Sequence, residues 1–174
     1  MNTQLTTTVK APASASLLEL VEPVSLVEEI DRIHNMLARR AFEIFGEEGN
    51  LIGRDLDHWL KAESELLHSV PLTIEQSERE VIVEAEVPGF SVSDIKVSLE
   101  PRKLTISGKR QLRKETQKGK KVYTEAGSDE ILRIITLPVE VDVLNTVATL
   151  REGILQLKMP RTKVKASVVE IKAA

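Results

Sequence analysis

Between Val81 and Pro160 the chain is a succession of short runs in which apolar and polar residues alternate, and this period of two limits the fold more than any other feature. Val81, Val83, Ala85 and Val87 make one run; Ile95, Val97 and Leu99 a second; Leu104 and Ile106 a third; Ile135 and Leu137, after Ile131, a fourth; and Leu155, Leu157 and Met159 the last. Apolar side chains two residues apart share one face of a strand, as half-buried antiparallel strands require. Gly89, Gly108, Gly127 and Gly153, with Pro88, Pro101, Pro138 and Pro160, fall at the ends of these runs. Turn dihedrals are needed there, and a missing N–H does little harm. Many short strands punctuated in this way predict a mainly β protein built as an antiparallel β-sandwich.

The chain has 174 residues, enough for one full domain and a smaller unit, and its 41% hydrophobic content can fill a core. Aromatic residues make up only 3%, so that core must be aliphatic. There is no cysteine, which excludes disulfides, thiolate metal sites and a cysteine nucleophile and suits a reducing compartment. The first residues lack a basic stretch followed by an apolar one, and no run approaches the roughly 18 apolar residues of a membrane span. The expectation is a cytoplasmic protein with no membrane partner. Charge is unevenly divided: residues 1–70 carry 6 Lys/Arg against 12 Asp/Glu, and the remainder 18 against 15. That asymmetry suggests two differently built units, neither basic enough to make nucleic acid a partner.

The first unit reads as a helical hairpin over 24–68, behind a flexible arm at 1–23 that holds Pro12 and Pro23. Val27, Ile30, Ile33, Leu37, Ala41 and Ile44 recur at helical steps, and Gly46, Gly49 and Gly53 break that helix. Asp55 is the expected N-cap of a second helix, which would place Leu56, Trp59, Leu60 and Leu67 on its packed side before Pro71. Two such helices cannot bury their apolar stripes alone, so they must pack on each other and on the sandwich or another subunit. Ala38, Ala41, Phe42, Phe45, Gly49, Gly53, Asp55, Asp57, Trp59, Leu60, Ala62 and Glu63 resemble a short bacterial domain of unknown function, over about 30–67. That resemblance supplies a boundary and no activity.

The second unit, over 69–160 with a tail at 161–174, resembles the α-crystallin domain of small heat-shock proteins. Val87, Pro88 and Gly89 followed by Asp94, Ile95, Lys96 and Val97 match one signature of that family, and the stretch from Leu104 to Arg110 matches its next strand. Arg133 precedes Pro138 by the spacing of a structural arginine; Ala148, Gly153 and Leu155 match a further signature; Val169, Glu170 and Ile171 match the C-terminal anchor. The resemblance implies an immunoglobulin-like antiparallel β-sandwich. It implies that Val169 and Ile171 dock in a groove between residues 95–99 and 146–150 of a neighbouring dimer, lined by Val97, Leu99 and Val147. It also implies that the charged stretch between Gly108 and Ile131 is a long loop whose central Val122, Tyr123 and Thr124 form a strand exchanged between two copies, and that Arg133 joins a charge network at that interface.

Some of these residues have physical reasons of their own. Gly153 supplies the positive φ that a tight hairpin needs. Val169 and Ile171 lie on one side of an extended segment and can fill two adjacent apolar pockets while Glu170 meets water. His34, His58 and His68 do not have metal-ligand spacing, and packing or surface roles are expected of them. No nucleophile with a base and no phosphate-cradling glycine loop occurs, so neither catalytic, cofactor-binding nor metal residues are expected. The reading is a non-enzymatic, ATP-independent holdase chaperone without cofactors, which binds unfolded or partly folded clients and assembles from homodimers to higher oligomers. The alternative is a non-chaperone adaptor or co-chaperone sandwich that recruits one partner through its helical hairpin.

Overall fold

The computed structural model describes the backbone of residues 16–118 and 121–163, and the side chains of all of these except 113–126. In chain order the elements are β1 (Ser16–Leu18), α1 (Val27–Glu47), α2 (Asp55–Leu66), β2 (Leu72–Gln76), β3 (Glu80–Glu86), β4 (Ile95–Glu100), β5 (Lys103–Lys118), β6 (Lys121–Thr136), β7 (Val147–Arg151) and β8 (Ile154–Pro160). Two antiparallel sheets result, one ordered β1-β7-β8-β3-β2 and the other β4-β5-β6. The register explains the sandwich. Val81, Val83 and Ala85 oppose Met159, Leu157 and Leu155 in the first sheet, while Val97 and Leu99 oppose Ile106 and Leu104 in the second. All ten are buried, so the inner faces that the alternation marks out are the ones that meet.

The β7–β8 turn consists of Glu152 and Gly153, both at positive φ (50° and 78°). Such a turn matches the right-handed twist of the two strands. The Gly153 carbonyl accepts from the Val87 N–H at 2.7 Å, and a Cβ on Gly153 would lie 3.1 Å from Pro88 Cα, so the loop after β3 rests against this turn. Gly89 is needed for another reason: the Arg110 guanidinium lies where a Cβ would be, 4.7 Å above the Phe90 ring centroid, and donates to Asp129 at 2.8 Å.

Three expectations need correcting. Residues Ser16 to Leu18 are not part of a free arm: they pair with β7, and Leu18 is buried. The stretch between Gly108 and Ile131 is not a loop with a short central strand, because β5 and β6 pair continuously from Lys103 and Thr136 to Lys118 and Lys121. Dense charge marks a solvated stretch without separating loop from ribbon, and a ribbon satisfies the backbone groups that a loop leaves to water. In α2 the cap position is Arg54, with Asp55 the first helical residue, where its charge still favours the helix N-terminus.

The packed side of α2 also differs. His58 and Ala62 are its buried residues, against Ile33, Leu37 and Ile44 of α1, whereas Leu56 and Leu60 are exposed. His58 fits this seam because its Nε2 lies 3.1 Å from Glu48 Oε2 and its ring meets the edge of Phe45. Arg40 ties the helices together by donating to Glu65 at 2.6 Å and to Glu43 and Glu47 of its own helix. Among the described residues no helix is long and apolar enough to cross a membrane.

Gly153→Ala should cost about 1 to 3 kcal/mol, since it forces a Cβ into a left-handed conformation pressed against Pro88. Gly46→Ala, inside α1 with open space around it, should instead stabilise by up to about 1 kcal/mol. Urea midpoints of the two variants moving in the same direction would contradict this account of the turn.

Candidate functional site

One end of the sandwich carries a seam where β4 is the edge of its sheet and β7 would be the edge of the other. Val97 and Leu99 of β4 and Ala148 and Leu150 of β7 are buried there in a single core cluster. Val147, expected as a groove residue, is 47% exposed. Side chains alternate along β7, and the pairing of Leu150 with Leu155 sets the inward parity, which leaves Val147 pointing out and places Ala148 and Leu150 in the groove. Gly153 turns the hairpin that holds β7 in place.

The groove is filled by the chain itself. Ser16, Leu17 and Leu18 pair antiparallel with Leu150, Thr149 and Ala148; Leu20 then forms a parallel bridge to Val97, whose carbonyl accepts from the Val21 N–H at 2.8 Å. Leu18 joins the core cluster and Leu20 packs against it, while Leu17 and Glu19 face outward. Sequence reasoning missed this segment. The available signal was Leu18, Glu19 and Leu20, which repeats the pattern of Val169, Glu170 and Ile171. Val169 and Ile171 lie outside the described residues.

From the groove the chain enters a tight 3-10 turn, Pro23–Leu26, which buries Leu26 and leads into α1. This helix lies on the outward side of the β4-β5-β6 sheet, where strand alternation places Ser98, Thr105 and Ser107, all buried. Ser107 donates to Glu29 at 2.6 Å and Lys96 to the same carboxylate at 3.0 Å. Arg32 donates to Glu130 at 2.7 Å, and Lys109 reaches Glu130 at 2.8 Å. Burial acts to raise the pKa of both glutamates, but hydrogen bonds from Ser107 and Lys96 to Glu29, and from Arg32 and Lys109 to Glu130, outweigh it, and both lie below the ordinary range.

Between the helices and β6 is a cleft of about 310 Å³ lined by Ile33, Leu37, Trp59, Leu67, Leu132 and Arg133, among others. Arg133 is exposed at its rim and forms no ion pair with a described side chain; the buried carboxylate of this region, Glu130, pairs with Arg32 and Lys109 instead. Val122, Tyr123 and Thr124 belong to β6, their backbones opposite Gln117, Thr116 and Glu115 of the same chain. The three histidines go separate ways: His34 lies tilted against Trp59 with ring centroids 4.9 Å apart, His58 contacts Glu48, and His68 lies 3.4 Å from Asp129. Beyond the cleft, Phe42, Ile52, Leu56 and Leu60 leave an apolar outer surface on the hairpin, Ile52 at 92% exposure and Leu56 at 68%. The groove thus takes an extended strand, and the hairpin carries exposed apolar side chains with no partner among the described residues.

A family model described as the Hsp20/alpha crystallin family matches residues 73–173, and one described as a protein of unknown function (DUF2934) matches residues 33–68. Heat shock protein HSP.16.4 of Streptococcus thermophilus is 36% identical over 91 residues, 51% of this chain and 63% of the relative. The 17.5 kDa class I heat shock protein of Glycine max is 33% identical over 85 residues, 48% of this chain and 56% of the relative. The chain thus spans between about half and two thirds of the length of these curated relatives. Among solved structures, heat shock protein 16.0 from Schizosaccharomyces pombe aligns over 62% of this chain and 97% of its own, at 26% identity and a TM-score of 0.45.

Depressed glutamate pKa values make the hairpin's attachment acid-sensitive. Because the folded values of Glu29 and Glu130 lie below the unfolded ones, their contribution is fully present above about pH 4.3 and is lost as pH falls through that value toward the folded pKa. Fluorescence of Trp59, the only tryptophan, should report the loss as pH falls below the ordinary glutamate range of about 4.3. Glu130→Gln should flatten that acid limb, and an unaltered limb would show that the ion pairs do not hold the hairpin.

Proposed function

The chain belongs to the Hsp20/alpha crystallin family, and from that premise we propose that it is an ATP-independent holdase chaperone, binding partly unfolded proteins and keeping them from aggregating. The observation that carries this reading is the β4/β7 groove, which holds an extended apolar segment by backbone pairing on one side and buried leucine on the other. A groove satisfied by Leu18 and Leu20 suits any chain that can present alternate aliphatic residues in extended form, as unfolded clients do. Burying apolar client surface supplies the free energy, so no nucleotide is required. The exposed Phe42, Ile52, Leu56 and Leu60 give the hairpin a second capture surface.

The proposed assembly uses the tail and β6. Val169 and Ile171 of one subunit anchor in the groove of another, formed by Val97, Leu99, Ala148 and Leu150. The β5–β6 ribbon that carries Val122, Tyr123 and Thr124 is the element exchanged within a dimer, its internal pairing kept. Arg133, exposed at the cleft rim, pairs with a carboxylate across that dimer, where its planar fork can engage two oxygens.

Val169→Gly with Ile171→Gly should reduce higher oligomers to dimers in native mass measurements without changing the β-sheet circular dichroism. Two aliphatic anchors at about 1.5 to 3 kcal/mol each amount to more than a hundredfold in affinity. An unchanged mass at micromolar concentration would remove the tail from the assembly.

For function, the full chain should suppress light scattering of a heat-labile client near one-to-one, equally with and without ATP. Leu56→Ser with Leu60→Ser, both on the exposed side of α2, should weaken protection severalfold while leaving the mass and the melting temperature unchanged. Failure to protect several unrelated clients would transfer the case to an adaptor that recruits one partner through this helical face.

A further inference from the structure

Leu18, Glu19 and Leu20 occupy the groove in the manner that the reading above gives to Val169, Glu170 and Ile171. Both segments set two aliphatic side chains two residues apart around a glutamate, so each points both apolar groups to one side when extended. The pattern is the same read in either direction, and a groove that accepts it need not fix the direction of entry. We propose that the β4/β7 groove is a switchable seat, with the subunit's own Leu18 to Leu20 as resident occupant and the Val169 to Ile171 segment of a neighbouring copy as its competitor. This rests on the tail's role as an anchor and adds that the tail enters only when the resident strand leaves.

The resident strand is built to be displaced. It pairs over only three residues, Ser16 to Leu18, with one further bridge at Leu20. Leu17 faces solvent, so two side chains carry the apolar contact. Attachment to the same chain gives this segment a high effective concentration, which a free tail does not have. Tails held together in an assembly regain that advantage, and the exchange of occupants becomes coupled to the number of subunits.

Exchange also reaches the helical hairpin. The Val21 N–H bond to the Val97 carbonyl is followed by the 3-10 turn Pro23–Leu26, which lies against β4, and by Glu29 on Ser107 and Lys96. Withdrawal of Leu18 and Leu20 therefore removes the tether at the start of α1 and loosens the hairpin from the sheet it covers. Tail docking in one subunit and release of the hairpin from the β4-β5-β6 sheet of the same subunit become a single event.

The chain lacks cysteine, so a reversible lock can be introduced cleanly. Leu18 and Ala148 are direct cross-strand partners. Such residues lie about 4.5 to 5.5 Å apart at Cα, within disulfide reach. In the full chain bearing Val169→Gly and Ile171→Gly, so that its own tails do not compete, Leu18→Cys with Ala148→Cys is compared oxidised and reduced. The probe is a fluorescein-labelled peptide of residues 164–174, followed by anisotropy. The reduced protein should bind it at least tenfold more tightly than the oxidised one. Leu18→Ser with Leu20→Ser should bind at least tenfold more tightly than the same background with an intact resident strand, and Leu17→Ser should match that background. Equal binding by oxidised and reduced protein overturns the shared seat, while the tail reading stands if Val169→Gly with Ile171→Gly still lowers the oligomer mass. Absence of peptide binding in every variant, with that mass also unchanged, overturns both.

Discussion

An open strand edge beside an apolar seam is unstable in water, and most of what distinguishes this chain follows from how that edge is covered. Exposed edges invite pairing with any available chain, because their N–H and C=O groups and the adjacent apolar residues reward an added strand. Here β4 and β7 border the same opening of the sandwich, and the chain covers it with its own residues 16–21, crossing from Leu150 on one sheet to Val97 on the other. Leu18 completes the core while pairing with β7. The same physics underlies both the covering strand and the proposed client and tail contacts, since the groove recognises extended backbone and alternate aliphatic groups and little else.

A different chemistry attaches the hairpin. Ser98, Thr105 and Ser107 lie beside Leu132 and Ile134 on the covered side of the β4-β5-β6 sheet, so α1 meets it through polar groups as well as through the apolar Ile33 and Leu37. Ser107 and Lys96 hold Glu29, and Arg32 and Lys109 share Glu130. The Ser98 hydroxyl, buried without a partner among the described residues, is a cost left in this interface. Arg32 and Lys109 remain partly exposed, so their pairs are screened by salt and contribute modestly. Attachment of this kind orients a helix firmly enough to specify its place and weakly enough to allow its release.

The sandwich was legible in the sequence because period-two alternation and side-chain burial are the same fact in strands such as β3 and β8. Ile33, Leu37 and Ile44 were legible in α1 for the equivalent helical reason. Hydrophobicity misled in α2, where Leu56 and Leu60 read as core but the narrow two-helix seam admits His58 and Ala62, with His58 satisfied by Glu48. Val147 was misplaced by a parity error of one residue, which in a strand reverses the face. Residues 16–21 escaped because so short a run has no periodicity to measure, and its partners, Leu150 and Val97, are far away in sequence. Continuous pairing of β5 with β6 was hidden by charge, which reports solvent exposure and not backbone partners.

These different attachments set an order in which the molecule can open. The inner faces of the two sheets are aliphatic and fully buried, with residues such as Val83, Ile106 and Leu157 inaccessible, so separating them costs the core itself. The resident strand costs two leucines and a few backbone bonds, and the hairpin costs its partly exposed ion pairs and the contacts across an incompletely filled cleft. Parts held by fewer buried contacts open first, without global unfolding. Strand β1 and the hairpin are therefore the first to leave, and their departure uncovers the β4/β7 edge and the outward face of the second sheet while both sheets remain paired. Binding surface is thus gained without loss of the scaffold, as the proposed capture of unfolded chains requires.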